Sequence, residues 1–158
     1  MVQDVRVVGM RGDASFDDMV QHFLSLGGES VIMDPMQVYG REMALSAVLH
    51  AERAFAQGTN SSKSILTEII LYASGERQIS KALSKMRPKD GVKEYVAVIL
   101  GIDGDLHLDE IGMTQDDSVI EGSPLKAKAM GLENDLNVPY DALALERVTM
   151  VDILKKTK

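Results

Sequence analysis

Apolar and polar positions change period several times along the chain, and each change marks an element. Val5, Arg6, Val7 and Val8 are mostly β-branched and read as an opening strand, closed by Gly9 and Gly12. Ser15 is placed to cap a helix whose first turn carries Asp17 and Asp18, acidic groups that suit a helix N-terminus. Phe16, Met19, Val20, Phe23 and Leu24 then recur at helical spacing until Gly27-Gly28 stops them. Val31-Ile32-Met33 predicts a second strand, broken at Asp34-Pro35. A long helix is predicted from Arg41 to Gln57, with Met43, Ala44, Ala47, Val48, Ala51, Ala54 and Phe55 on its buried stripe and Gly58 as its stop.

The stretch from Thr59 to Arg87 organises the rest. Thr59-Asn60-Ser61-Ser62 is rich in side chains that bond back to the local backbone, so it predicts a loop. Ser61, Ser62 or Ser64 can cap the helix that follows, whose wide apolar stripe is Ile65, Leu66, Ile69, Ile70 and Ala73. Gly75 stands where a left-handed C-cap belongs. A second helix carries Ile79, Ala82, Leu83 and Met86 on one stripe and Gln78, Lys81 and Lys85 off it, and Pro88 ends it. Next, the continuous apolar run from Glu94 to Leu100, stopped by Gly101, predicts a central strand.

Asp116 and Asp117 open a turn before Ser118-Val119-Ile120. Ser123-Pro124 starts a helix through Met130, with Gly131 as its stop, and Asn134-Asp135 reads as a turn. The last segment runs from Val138-Pro139 to Lys155. Its Leu143, Leu145, Val148, Met150, Val151, Ile153 and Leu154 are too many apolar groups for one narrow stripe. Two readings stay open: a helix buried on two sides, or a helix that passes into a strand near Val148. Strands and helices mix without strict alternation, and no repeat or linker interrupts them. The expectation is an α+β fold over 1–158 as a single domain, with a mixed or antiparallel sheet covered by several helices.

Composition narrows the function. The 158 residues hold no Cys, which excludes disulfides and cysteine chemistry and fits a reducing compartment. No apolar run approaches a membrane span and the first residues are not a signal peptide, so a cytoplasmic protein is expected. Ten Met and no Trp predict an adaptable aliphatic core or contact surface. The net charge of −7 argues against a uniformly basic nucleic-acid binder. From Lys63 to Lys93, however, seven cations face three anions, a local charge of +4 that leaves −11 for the rest. Such a segment can hold a phosphate backbone locally, and charge alone equally describes a solvated helix face.

Recognisable catalytic or cofactor motifs are missing: there is no dinucleotide or phosphate loop, no zinc-protease helix and no nucleophile elbow. Asp103, Asp105 and Asp109 do not meet calcium-loop spacing, because His107 and Leu108 fall where a ligand and a glycine belong. Neither a cofactor nor a metal is expected. An enzyme using His50 with Ser74 or an acidic neighbour is an alternative that requires the paired side chains within hydrogen-bond reach in a shared pocket.

The run Glu68 to Leu83, EIILYASGERQISKAL, resembles the most recognisable motif of the TPRKB family, the small kinase-binding subunits of the KEOPS complex. Val8-Gly9 with Arg11-Gly12, Val48 to Ala51, Asp116 to Val119 and Leu145 to Val148 are similar to that family in the same order. The resemblance implies a non-catalytic subunit that binds and activates a small atypical protein kinase, supporting threonylcarbamoyladenosine synthesis in tRNA together with the other KEOPS subunits. For members of the archaeal type it also implies binding of the single-stranded CCA end of tRNA. On this chain Asn60, Lys63, Ser74, Gly75, Arg77, Gln78, Ile79 and Lys81 are the expected tRNA contacts. Arg147, Met150, Val151, Ile153 and Leu154 are the expected kinase contacts. With aromatic residues at 4%, ring stacking cannot dominate an RNA contact.

Overall fold

A computed structural model of the chain describes residues 4–134 and 137–156. Four strands, β1 (Val5–Gly12), β2 (Glu29–Met33), β3 (Glu94–Leu100) and β4 (Met113–Gln115), pair antiparallel in the order β2-β3-β1-β4. Among the described residues six α-helices accompany them: α1 (Phe16–Ser25), α2 (Arg41–Gln57), α3 (Ile65–Ser74), α4 (Ile79–Met86), α5 (Pro124–Met130) and α6 (Tyr140–Leu154). Short 3-10 turns occupy Pro35–Gln37, Leu108–Ile111 and Asp117–Ile120.

The central strand explains why its sequence is apolar throughout. Side chains alternate across a strand, so a run without polar positions needs cover on both faces. In β3, Val96, Val98 and Leu100 join a core with α2, α3, α4 and α6, which includes Met43, Ala47, Ile69, Tyr72 and Val148. Tyr95, Ala97 and Ile99 face the other way, onto Met19 and Phe23 of α1 and onto Ile102, Leu106 and Leu108. Phe16 and Leu24, which recur at helical spacing with the buried Met19 and Phe23, are 48% and 49% exposed. That helix covers its sheet face with a narrower stripe than its composition allows.

Gly9 does not close the first strand. It lies within it, paired with Val96. A Cβ there would stand 2.1 Å from the carbonyl oxygen of Asp116. The glycine lets the segment after β4 press against β1. Asp116 N–H donates to Gly9 O at 2.8 Å, and Gly9 N–H donates to Asp117 Oδ1 at 3.0 Å. Arg11 pairs with Asp116 at 2.6 Å and with Glu94 at 3.0 Å. The Ser118 hydroxyl and Arg11 together hold the Asp116 carboxyl down at about 2. Two of the stretches that carry the family resemblance therefore clasp each other across more than a hundred residues.

The last segment is one helix, which settles both open readings. Ala144, Val148 and Val151 recur at i, i+4 and i+7 and are fully buried. Among the described residues no strand follows Val148: the helix runs to Leu154, and Lys155 N–H still donates to Val151 O at 2.9 Å. Nor is it buried on two sides, because Met150 and Ile153 remain 38% and 52% exposed. Of the turn expected at Asn134-Asp135, Asp135 lies outside the described residues.

The predicted helix start at Ser123 also carries a buried cation that the apolar pattern did not reveal. Lys126 is 6% exposed, and its Nζ donates to Val38 O at 3.0 Å and Val119 O at 2.6 Å. Burial pushes its ammonium down to about 8 from an ordinary 10.5. Between those values the unfolded chain keeps a proton that the folded chain has released, so stability rises with pH across the window. Relative to Lys126→Met, the wild type should gain on the order of 2–3 kcal/mol from pH 8 to 10.5. Urea unfolding of both proteins across that range measures it, and a flat difference contradicts it.

Candidate functional site

The predicted junction between α3 and α4 forms as expected. Ser64 caps α3, its hydroxyl accepting from Leu66 and Thr67 N–H, and Gly75 ends the helix at φ +72°. The Ser74 hydroxyl is buried. It donates to Leu71 O at 2.7 Å and accepts from Glu76 N–H at 3.0 Å, closing the turn from inside. Lys85 reaches back from α4 to Ser74 O at 2.9 Å and to Glu76 at 3.1 Å, so a cation sits on the negative end of α3.

This turn brings some of the expected contacts together and separates others. Arg77, Gln78 and Lys81 are exposed on the turn and the first turn of α4, and Gln78 makes no side-chain capping bond. Ile79 is half-buried against the core. Asn60 and Lys63 lie at the opposite end of α3, beyond its N-cap. At 1.5 Å per residue the ten residues of α3 put about 15 Å between the two groups. The Asn60 amide donates to Ser62 O at 2.8 Å within its own loop, and Lys63 is exposed. No single nucleotide can touch both ends.

The expected kinase contacts divide in the same way. Met150 and Ile153 are exposed on α6, Leu154 and Arg147 are half-buried, and Val151 is 0% exposed. Val151 is thus a core residue of this fold and offers no surface. Arg147 lies against the turn: a Cβ on Gly75 would stand 2.4 Å from its Cγ. An open cleft of about 350 Å³ is lined by Gly75, Arg147 and Met150 together with Gly131, Leu132, Glu133, Leu143 and Glu146. Burial lowers the Arg147 pKa and Glu76 partly offsets this, while the guanidinium stays charged. Residues assigned to two different partners therefore share one cleft.

The local charge of +4 is only partly available to a ligand. Lys85 is paired with Glu76, Lys89 with Asp34 at 3.7 Å and Lys93 with Asp13 at 2.9 Å. Lys63, Lys81 and Arg87 are exposed and form no salt bridge among the described residues.

His50 and Ser74 are not brought together. His50 Nδ1 meets Asp152 Oδ2 at 2.9 Å and its ring packs on Tyr72 at 5.3 Å, whereas the Ser74 hydroxyl is engaged within its own turn. The His50–Ser74 pairing of the enzyme alternative does not form, and the acidic neighbour that His50 meets is Asp152, which also holds the Tyr72 hydroxyl.

In its place a polar chain joins three helices. Asp152 accepts from the Tyr72 hydroxyl, and Lys155 Nζ donates to that hydroxyl at 2.9 Å. Lys155 also pairs with Glu68, which is 0% exposed and accepts from Ser61 N–H at 3.1 Å and Ser62 N–H at 2.9 Å. Burial pushes Glu68 up, but Lys155 and the two N–H groups more than offset it and leave the carboxyl below its ordinary value. Burial likewise raises Asp152, and the Tyr72 and His50 bonds bring it below its ordinary value. The apolar pattern does not predict this chain. Its one signal in the sequence is Glu68 itself, three residues after Ile65 and four before Tyr72 on a stripe otherwise apolar.

Among the described residues no group of three metal-ligating side chains forms, and no helix is long and apolar enough to cross a membrane. No curated protein matches the chain significantly. A family model described as kinase binding protein CGI-121 matches residues 18–142, from α1 to the first turn of α6. That span takes in the α3–α4 junction and the Asp116–Val119 clasp, two of the stretches on which the TPRKB resemblance rests. The chain belongs to the CGI-121 family of kinase binding proteins, which is the TPRKB family.

Proposed function

We propose that this chain is a non-catalytic regulatory subunit of the KEOPS complex, acting in the cytoplasm. It binds and activates the small atypical protein kinase of that complex and holds the single-stranded CCA end of tRNA during threonylcarbamoyladenosine synthesis. The observation that carries the kinase half is the family match over 18–142. The α6 face supports it, because Met150 and Ile153 are apolar groups the fold leaves uncovered and a partner can bury. Arg147, half-buried one turn before Met150, is the cation assigned in this reading to an acidic group of the kinase.

The RNA half rests on the exposed Arg77, Gln78 and Lys81 around Gly75. Single-stranded ends are held by phosphate contacts and by base edges, and cations beside an amide supply both. Asn60 and Lys63 then form a second contact, reached only by a strand laid along α3. A kinase regulator with no RNA role is the second reading. It is favoured by the net charge of −7 and by the pairing of Lys85, Lys89 and Lys93 within the protein.

Titrating intact tRNA and tRNA lacking CCA against wild type and Arg77→Glu/Lys81→Glu separates the two readings. The RNA reading expects weaker binding of the truncated tRNA. It also expects at least about tenfold loss of affinity in the variant, with the salt slope reduced by about 0.7 for each phosphate no longer neutralised. Equal affinity for both RNAs, or an unchanged variant, leaves the kinase role alone.

A further inference from the structure

The end of helix α6 faces two places. Ile153, 52% exposed, belongs to the uncovered face. Two residues on, Lys155 turns inward, with its side chain 10% exposed. Its Nζ reaches Thr59 O at 3.2 Å, the Tyr72 hydroxyl at 2.9 Å and the Glu68 carboxylate. Glu68 in turn receives Ser61 N–H, Ser62 N–H and, at 3.0 Å, the Ser62 hydroxyl. The Thr59–Ser64 loop is thus tied to α6 through one lysine and one carboxylate. One turn earlier, Asp152 is fixed by His50 of α2 and Tyr72 of α3, which sets the rotation of the last turn of α6.

We propose that the last turn of α6 couples the partner face to the Thr59–Ser64 loop: a kinase seated over Ile153 steadies Lys155, and Lys155 with Glu68 positions the loop that carries Asn60 and Lys63. The proposal rests on the kinase-binding reading above. The physical ground is that a terminal helix turn opens at a lower cost in free energy than a helix interior, and here the bonds of Asp152 and Lys155 set that cost. A partner that suppresses this opening lowers the entropy cost of ordering whatever the turn holds. By linkage, a ligand on the loop favours the kinase to the same degree.

Backbone amide exchange at Ser61 and Ser62, followed by NMR with and without excess kinase, tests the coupling. In the wild type the kinase should slow both amides about fivefold or more, the low end of ordinary coupling strengths. Lys155→Met should abolish the response. Glu68→Gln/Lys155→Met removes the stranded buried charge and keeps an acceptor for the serine amides. It should regain wild-type stability and still show no response, which separates coupling from stability. Unchanged exchange with the kinase bound, or a full response in either variant, overturns the proposal. A kinase that fails to co-elute with the wild type overturns the reading beneath it as well, and size-exclusion chromatography reports that outcome separately.

Discussion

Replacing Lys155 with Met should destabilise the protein by about 3 kcal/mol, the low end of the cost of removing one partner from a buried ion pair. Glu68 is 0% exposed, so the variant strands a carboxylate in the core with only the Ser61 and Ser62 groups to solvate it. Three donors remain, which is why the low end applies. The loss also has a pH signature. Glu68 in the folded protein lies below its ordinary value, so its contribution is present above the unfolded pKa and fades as pH falls through the folded one. In the variant the protonated acid is the better tolerated form. The stability gap to wild type should therefore close as pH falls below the ordinary carboxylate range. Urea midpoints at pH 7 and pH 3.5 measure both effects, and a gap under about 1 kcal/mol at pH 7 contradicts the assignment of a buried pair.

The second large effect is expected on binding. Met150 and Ile153 stand uncovered on α6 while Ala144, Val148 and Val151 fill the core behind them. A partner that buries both apolar groups makes them the kind of central contact that dominates interface energetics. Met150→Asp/Ile153→Asp places two charges in that interface without touching the core. It should weaken kinase binding by about 3 kcal/mol or more, over a hundredfold in Kd, while the protein stays folded with a lowered melting temperature, since aspartates near a helix C-terminus oppose its dipole. Calorimetric titration against the kinase reads the loss. Val151→Asp offers the contrast, since a charge at a 0% exposed position should unfold the protein before it reports on binding.

Most of the architecture was legible because local chemistry and burial agree. Ser15, Ser64 and Ser123 each cap the helix that follows them, Gly58, Gly75 and Gly131 each end one, and the apolar run of β3 demanded cover on both faces. The final helix was ambiguous because its exposed Met150 and Ile153 mimic core positions, and apolar content alone does not tell a partner's surface from a buried one. Gly9 reads as a strand end, yet it serves a close approach from a segment over a hundred residues away, which no local pattern encodes.

The candidate site was legible in part. The turn at Gly75 and its exposed Arg77, Gln78 and Lys81 follow from local sequence, since capping and helical phase decide them. The separation of Asn60 and Lys63 from that turn follows from the length of α3, and it divides residues that lie close in sequence. The meeting of Gly75 with Arg147, and the chain from His50 to Ser61 through Asp152, Tyr72, Lys155 and Glu68, are products of helix packing. They depend on which faces of α2, α3 and α6 meet, and single-helix periodicity leaves that choice open.

The most direct measurement is a calorimetric titration of the wild-type chain with the small atypical kinase, alongside Arg77→Glu/Lys81→Glu. The account predicts saturable one-to-one binding that the charge reversal at the α3–α4 turn leaves intact, because the proposed kinase face lies on α6. A wild-type chain that binds no kinase, or a kinase that is lost with Arg77 and Lys81, would contradict it.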